Sequence, residues 1–432
     1  MLESRGNSLY LRAMFRTGAQ FMILVLLAGL ALMREALHEP LASWDNAFAD
    51  FIAMHSRHGA PPAPVTLVEI TDSSLNGHPW PWNPLDFSLF FQATLPYKPE
   101  VVAIDQVLDW EKSMVLPEDQ TRKLPQYEKI LRDNILRAPK MLLGSTLGLP
   151  DDPQVIPTLQ EVPLLRNIKG RLGDIPEFVV IEQQPSEPFR LSSTVGFTNL
   201  PATHLRYNSV PLLFRYRGQV TPSFTLQAVL LWAKLTPDEV TGEIGSHIDL
   251  GGKMRIPIDA SGRMRVDFGS PRGGIGFAEL MLASEQKDAG AKSVAAIDRL
   301  KGSIVILSRT DEASRTIPLA ARRNGSPGEL FAAGIATIQN RSFIQSAPQW
   351  AQYAVIGAFM LFGFWVPRWK KMKTVLLGLV VLAVYVLVAM AVFTKWLVWL
   401  PGVMPAGIIA VCILFRVATP DSFGRPKKPV II

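Results

Sequence analysis

Four long stretches without charge limit what this chain can fold into. The strongest is LLGLVVLAVYVLVAMAVF, inside an uncharged run between Lys373 and Lys395. It is apolar on every face, and at about 20 residues it is long enough to cross a bilayer as a helix. A second run covers residues 342–367. A third, residues 396–415, ends at Arg416 and is interrupted in its first half by Pro401 and Pro405, which lack the amide proton a helix needs. The fourth, residues 17–33, lies between Arg16 and Arg34. Its basic start and apolar core FMILVLLAGLALM also suit a signal peptide, but no clean A-x-A cleavage site directly follows it, so the reading preferred is an anchor. The predicted spans are residues 17–37, 348–367, 374–394 and 397–416.

The net charge of +7 and a pI near 9.4 suit either nucleic-acid binding or the cytoplasmic loops of a membrane protein. Position decides between them. Arg5, Arg12 and Arg16 precede the first span; Arg368, Lys370, Lys371 and Lys373 separate the second from the third; Arg416, Arg425, Lys427 and Lys428 follow the fourth. All three groups fall on one side if the N-terminus is inside. Residues 1–16 and 417–432 are then cytoplasmic, and residues 38–347 form a domain in the periplasm or outside. Trp350, Trp365, Trp369, Trp396 and Trp399 stand at span ends, where amphipathic rings favour the interface. The expected partner is therefore the lipid bilayer of an inner membrane. No Lys/Arg stripe with interleaved aromatics argues for nucleic acid. The single cysteine, Cys412, lies in the last span, so the outer domain must be held by its core and not by disulfides.

Within that domain the patterning is α/β, with a mostly parallel or mixed sheet. VTLVEI reads as a strand, Asn83 as an N-cap with Pro84 at the first helical position, LDFSLFFQATL as a helix, and EVVAIDQVL as a second strand. Strand, helix, strand at this spacing is a βαβ unit, so the two strands should run parallel. Further strands are predicted at 141–147, 195–200, 210–218 and 303–310, and a helix at 222–235. A hairpin is expected at 251–271, turning at 259–262. Residues 150–188, rich in Pro and charge, read as a long surface excursion. A helix at 41–57 carries the chain from the membrane to the domain. His55 and His58 on it lack a third ligand and read as surface histidines, so no metal site is predicted.

Asp72 and Asp105 each stand at the C-terminal end of a strand. In an open parallel sheet that edge binds ligands; the plainer alternative is turn capping. Trp80 and Trp82 either pack under the sheet edge or form an apolar wall of a pocket. Arg309, Arg315, Arg322 and Arg323 follow the last strand and read as an anion site or a solvated loop. Gly144-Ser145-Thr146-Leu147-Gly148 is not G-x-S-x-G, because Ser stands one place early. Gly273-Gly274-Ile275-Gly276 is not a dinucleotide fingerprint and reads as a turn. No catalytic residue and no cofactor is predicted; Asp72 and Asp105 could form an acid–base pair, but nothing else asks for an enzyme.

The run VEITDSSLNGHPWPWNP followed by VVAIDQVL begins an ordered set of motifs. Thr221-Pro222-Ser223-Phe224, Ile256-Pro257-Ile258-Asp259 with Gly262, LKGSIVIL at 300–307, and Ser326-Pro327-Gly328-Glu329 opening a helix complete it. The set resembles a CHASE2 domain, an extracytoplasmic sensory domain of bacterial membrane receptors with one helix before it and three after. The resemblance implies a sensor that binds a ligand outside the cell, with Asp72, Trp80, Trp82, Asp105 and Arg309 as candidate ligand-binding residues. Family members usually continue into a cyclase or kinase. About 16 residues follow the fourth span here, so a separate cytoplasmic kinase or cyclase is the expected output partner, and a homodimer suits such a receptor. The alternative is a structural or assembly subunit of a cell-envelope complex, with an envelope protein as partner. Two departures bear on the ligand. Asn83-Pro84 stand where a basic residue is usual, and Ser308-Arg309-Thr310 with Ile317-Pro318 replace a Gly, an Asp and Thr-Pro, which implies a changed or lost ligand.

Overall fold

The structure, a computed structural model, describes residues 38–56, 61–149, 161–202, 206–288, 295–320, 324–365 and 370–418. The predicted span 17–37, both termini, His58, Arg322, Arg323, Arg368 and Trp369 lie outside the described residues. The chain divides into two units, His58–Ile344 and the pair of segments Met1–Arg57 and Gln345–Ile432.

In the first unit, short runs rich in Val, Ile and Leu form a seven-stranded sheet. Its strands are β1 (Val65–Ile70), β2 (Val101–Ile104), β3 (Met141–Gly148), β4 (Val180–Gln183), β5 (Thr194–Phe197), β6 (Gly273–Gly276) and β7 (Ile304–Arg309). The order is β6-β1-β7-β2-β3, with β4 and β5 both paired to β3. Every pair is parallel except β3–β4, so the sheet is mixed and mostly parallel, as the sequence pattern predicts. β1 and β2 are parallel but not neighbours; β7, some 200 residues later in the chain, lies between them.

Buried strands alternate their side chains between two cores, because successive residues point to opposite faces. Val65, Leu67, Val101, Ala103, Ile304 and Ile306 join one core; Val68, Ile70, Val102, Ile104, Val305 and Leu307 join the other. Helices cover both faces. On one side lie α1 (Pro84–Thr94), α2 (Leu124–Arg137) and α4 (Phe277–Asp288); on the other lie α3 (Phe224–Ala233) and α5 (Pro327–Gln339). Both faces are thus apolar, which explains strands without polar alternation.

Local capping chemistry sets where α1 begins. The Asn83 side chain accepts from the amides of Leu85 and Asp86 at 2.8 and 3.3 Å, and Asp86 Oδ2 accepts from the Asn83 amide at 2.9 Å. With Pro84 in the first turn this is a reciprocal cap. Asn83 therefore has a helix-starting role where the family pattern has a basic residue.

Four expectations are corrected. Gly273–Gly276 is not a turn but the edge strand β6, paired in parallel with β1, and its Ile275 is buried in the core. The turn at 259–262 forms, with the Asp259 carboxylate accepting from the amides of Ser261 and Arg263. Its arms, however, pair elsewhere: Arg255–Pro257 with His247–Leu250, and Arg263–Arg265 with Ser209–Pro211. The described part of 150–188 is no free excursion, since Asn167–Lys169, Glu177–Phe178 and β4 each pair with a different sheet. Residues 210–218 do not form one continuous strand; Ser209–Pro211 and Leu213–Tyr216 pair separately.

The second unit contains helices His38–His55, Gln349–Trp365, Lys371–Trp396 and Val403–Ala418. Among the described residues only Lys371–Trp396, with 26 residues, is long and apolar enough to cross a membrane. The predicted segment 397–416 does not begin as a helix. Val398–Trp399 pairs with Gln345–Ser346, Pro401 ends the extended stretch, and the last helix starts at Val403. Asp45 caps that start from the neighbouring helix, its Oδ1 accepting from the amides of Gly402 and Val403 at 2.9 Å each.

Candidate functional site

Strand register gathers the site at the C-terminal edge of the sheet. Leu307 of β7 pairs with Ile104 of β2, which pairs with Leu143 of β3. One residue further on, Ser308, Asp105 and Gly144 stand side by side. The Ser308 hydroxyl donates to Asp105 Oδ2 at 2.5 Å, and the Gln106 amide donates to Oδ1 at 2.9 Å. Two glycines permit this close packing. A Cβ on Gly144 would lie 2.4 Å from the Asp105 carbonyl oxygen, and one on Gly328 would lie 2.2 Å from Ser308 Oγ and 3.2 Å from Asp105 Oδ2. The first turn of α5 therefore rests directly on the Asp105–Ser308 pair. Ser326 starts that helix, its side chain accepting from the Glu329 amide at 3.1 Å.

Asp105 is buried. Burial pushes its carboxyl up to about 6, and the hydrogen bonds from Ser308 and Gln106 offset that only in part. The described groups that act on it are neutral, so among the described residues the ionised carboxylate has no counter-charge.

A cleft of about 490 Å³ opens beside it, within the size range of small-molecule sites. Its lining includes Trp80, Asp105, Gln106, Ser308 and Arg309 together with Lys112, Thr146, Gln183 and Arg315. Thr146 Oγ1 is a buried atom with no hydrogen-bond partner. Lys112, Ser113 and Gln183 also border a second hollow that contains Asp109, Glu111, Glu128, Glu182 and Glu187.

The five residues expected to bind ligand separate into three groups. Trp80, Asp105 and Arg309 meet in the cleft. Trp82 does not line it; it is fully buried, with Phe277 and Phe87 at ring distances of 4.7 and 5.4 Å. Its indole donates to the His78 carbonyl, and the Trp110 indole donates to the Trp82 carbonyl, both at 2.8 Å. Its role is to fix the loop that presents Trp80. Asp72 is exposed and outside the cleft lining, where it accepts from the Glu312 amide at 3.3 Å. The pairing of Asp72 with Asp105 as acid and base therefore finds no support in the cleft.

Arg309 is present but engaged. Its Nε and Nη2 donate to the two oxygens of Asp311 at 2.8 and 2.6 Å. Its guanidinium also lies 4.2 Å from the centre of the Trp80 ring. Asp311 is 1% exposed, so this bidentate pair holds the loop after β7 and leaves Arg309 little charge for a ligand. Sequence reasoning missed Gln106, Gln183 and Thr146 as site residues. Ser308 carried a signal as a departure from the pattern at a strand end, Gly328 as part of a motif opening a helix, and Arg315 as part of a possible anion site.

A family model for the CHASE2 domain matches residues 22–365. The fold is a mixed α/β architecture with its cleft at the strand ends, and the matched residues take in the whole sheet and the cleft lining. The chain belongs to the CHASE2-domain family, a family of extracytoplasmic sensory domains. No curated protein and no solved structure matches it.

Proposed function

We propose that the protein is a membrane-anchored CHASE2-type receptor that binds a small polar ligand in the Asp105 cleft and acts through a separate output protein, without catalysing a reaction. The observation that carries this reading is the cleft itself: a buried carboxylate without a counter-charge among the described residues, at the C-terminal edge of a mostly parallel sheet, in a family of sensory domains. Membrane anchoring is supported by helix Lys371–Trp396, whose Leu376, Leu379 and Leu387 side chains are exposed. In the proposed topology four segments cross the inner membrane, the basic residues around Arg16, Lys371 and Arg416 stay inside, and the unit His58–Ile344 faces out. A kinase or cyclase, encoded separately, reads the ligand state at the cytoplasmic side.

A ligand of the folded state raises its melting temperature by mass action. The test is thermal unfolding of the full chain in detergent micelles against a broad panel of small polar metabolites. Stabilisation by at least one compound, lost in a variant of the cleft, supports the receptor. No stabilising compound, together with a stoichiometric envelope protein recovered by crosslinking from membranes, identifies an assembly subunit instead.

A further inference from the structure

Two kinds of charge are unmatched in the cleft. Asp105 is buried, holds its hydrogen-bond partners Ser308 and Gln106, and meets no cation among the described residues. Arg309, the cation next to it in the lining, is taken by Asp311 through two hydrogen bonds. Lys112 and Arg315, also in the lining, are exposed and make no ion pair among the described residues. A desolvated carboxylate is stabilised by a cation that is brought to it with hydrogen-bonding protons. The free guanidinium of Arg315 suits a carboxylate, which it can hold with two parallel hydrogen bonds.

We propose that the cleft takes a dipolar α-amino compound, a free amino acid or a dipeptide, with its ammonium group on Asp105 and its carboxylate toward Arg315 and Lys112. The inference rests on the receptor reading and narrows it to one ligand chemistry. Each Asp105 oxygen already accepts one hydrogen bond and retains a lone pair for an ammonium proton. Thr146 Oγ1, buried without a partner in the same lining, offers a further acceptor. Trp80 supplies an apolar wall for a side chain, and the volume of about 490 Å³ exceeds what one amino acid fills, which leaves space for side-chain variety or a second residue. A purely anionic ligand would place like charge against Asp105. A neutral sugar would leave that carboxylate without a counter-ion.

The test uses the full chain in detergent micelles at pH 7.5, with the twenty L-amino acids and the dipeptides Gly-Gly and Ala-Ala as probes. For each stabilising probe the N-acetyl derivative and the C-terminal amide are compared, and gluconate and glucose serve as non-dipolar probes. Affinity is read by isothermal titration. The expected result is binding by at least one dipolar probe, weakened tenfold or more by N-acetylation or amidation. Asp105→Asn should weaken it at least tenfold and Arg315→Ala several-fold, with Glu118→Gln, outside the cleft lining, as a control. Arg315 is exposed, so its variant remains informative even if an Asp105 variant fails to fold. Binding of an amino acid that Asp105→Asn leaves unchanged overturns the inference. Binding of a compound without an ammonium group, sensitive to Asp105→Asn, overturns it while the receptor reading stands. If no compound of any class binds, both readings fall.

Discussion

Replacing Asp105 by Asn should make the protein more stable at neutral pH, although it alters the most buried charge of the cleft. The ordinary carboxyl value of 3.8 rises to about 6 at this site. A rise of one pH unit corresponds to about 1.36 kcal/mol, so keeping Asp105 ionised in the fold costs about 3 kcal/mol above pH 6. A raised folded value means that the native chain binds more protons than the unfolded one between these limits. The stabilisation from protonated Asp105 is complete below about 4 and is lost as the pH rises through about 6. Asn keeps the shape and carries no charge. Its Oδ1 can accept from Ser308, and its amide can donate to Gln106 once that side chain rotates its own amide. Thermal melts of the full chain, followed by tryptophan fluorescence, would measure the difference at pH 7.5 and pH 4.5. At about 2 °C per kcal/mol for a unit of this size, the variant should melt roughly 6 °C higher at pH 7.5. The gap should shrink to about 1 kcal/mol at pH 4.5, where most folded Asp105 is already protonated. A variant that melts below the wild type at pH 7.5, or a gap that does not change with pH, would show that the carboxylate is not an uncompensated charge.

Further consequences follow from the same packing. Gly328→Ala places a Cβ 2.2 Å from Ser308 Oγ, and the strain should cost about 1–3 kcal/mol, visible as a lower melting temperature; Ser308→Gly in the same chain should recover part of it. Arg309→Met strands Asp311, 1% exposed, and should cost about 3–5 kcal/mol, whereas the double variant Arg309→Met with Asp311→Leu should recover most of the loss. For a ligand bound through its ammonium group, affinity measured by calorimetry should hold above pH 6 and fall about tenfold per pH unit below it, because only the ionised carboxylate pairs with a cation. The other charged groups of the lining are Lys112, Arg309 and Arg315.

The α/β architecture was legible because its signals are local. Val65–Ile70 and Val101–Ile104 are apolar at nearly every position, as strands covered on both faces must be, and Asn83-Pro84 starts α1 through contacts within three residues. Pairing partners were not legible. The turn at 259–262 promised a hairpin, yet Arg263–Arg265 found Ser209–Pro211, some fifty residues earlier, because strand choice depends on which apolar faces meet in the assembled core. Glycine carried the least signal of all. Gly273–Gly276 has the composition of a turn, and only the burial of Ile275 beside β1 makes it a strand. In the site, the sequence named the right edge of the sheet but could not separate Trp80 from Trp82. Two positions apart on an irregular loop, one lines the cleft and the other is sealed under Phe87 and Phe277.

Two buried carboxylates at this sheet edge differ in a way that no local pattern encodes. Asp311 has its guanidinium two residues away in the chain, and the pair closes on itself. Asp105 accepts from the Ser308 hydroxyl, 203 residues distant, and from the Gln106 side-chain amide, and meets no cation among the described residues. A chain selected for stability alone would lose little by exchanging Asp105 for Asn, since mutation toward the neutral group relieves about 3 kcal/mol. The neighbouring glycines argue against accident. Gly144 and Gly328 keep space around the Asp105–Ser308 pair that alanine would fill, so the backbone of three elements is shaped to hold a charge that weakens the fold. A ligand of the proposed kind would supply a cation there, and the energy recovered on its arrival would then be available to bias the protein toward one of two states.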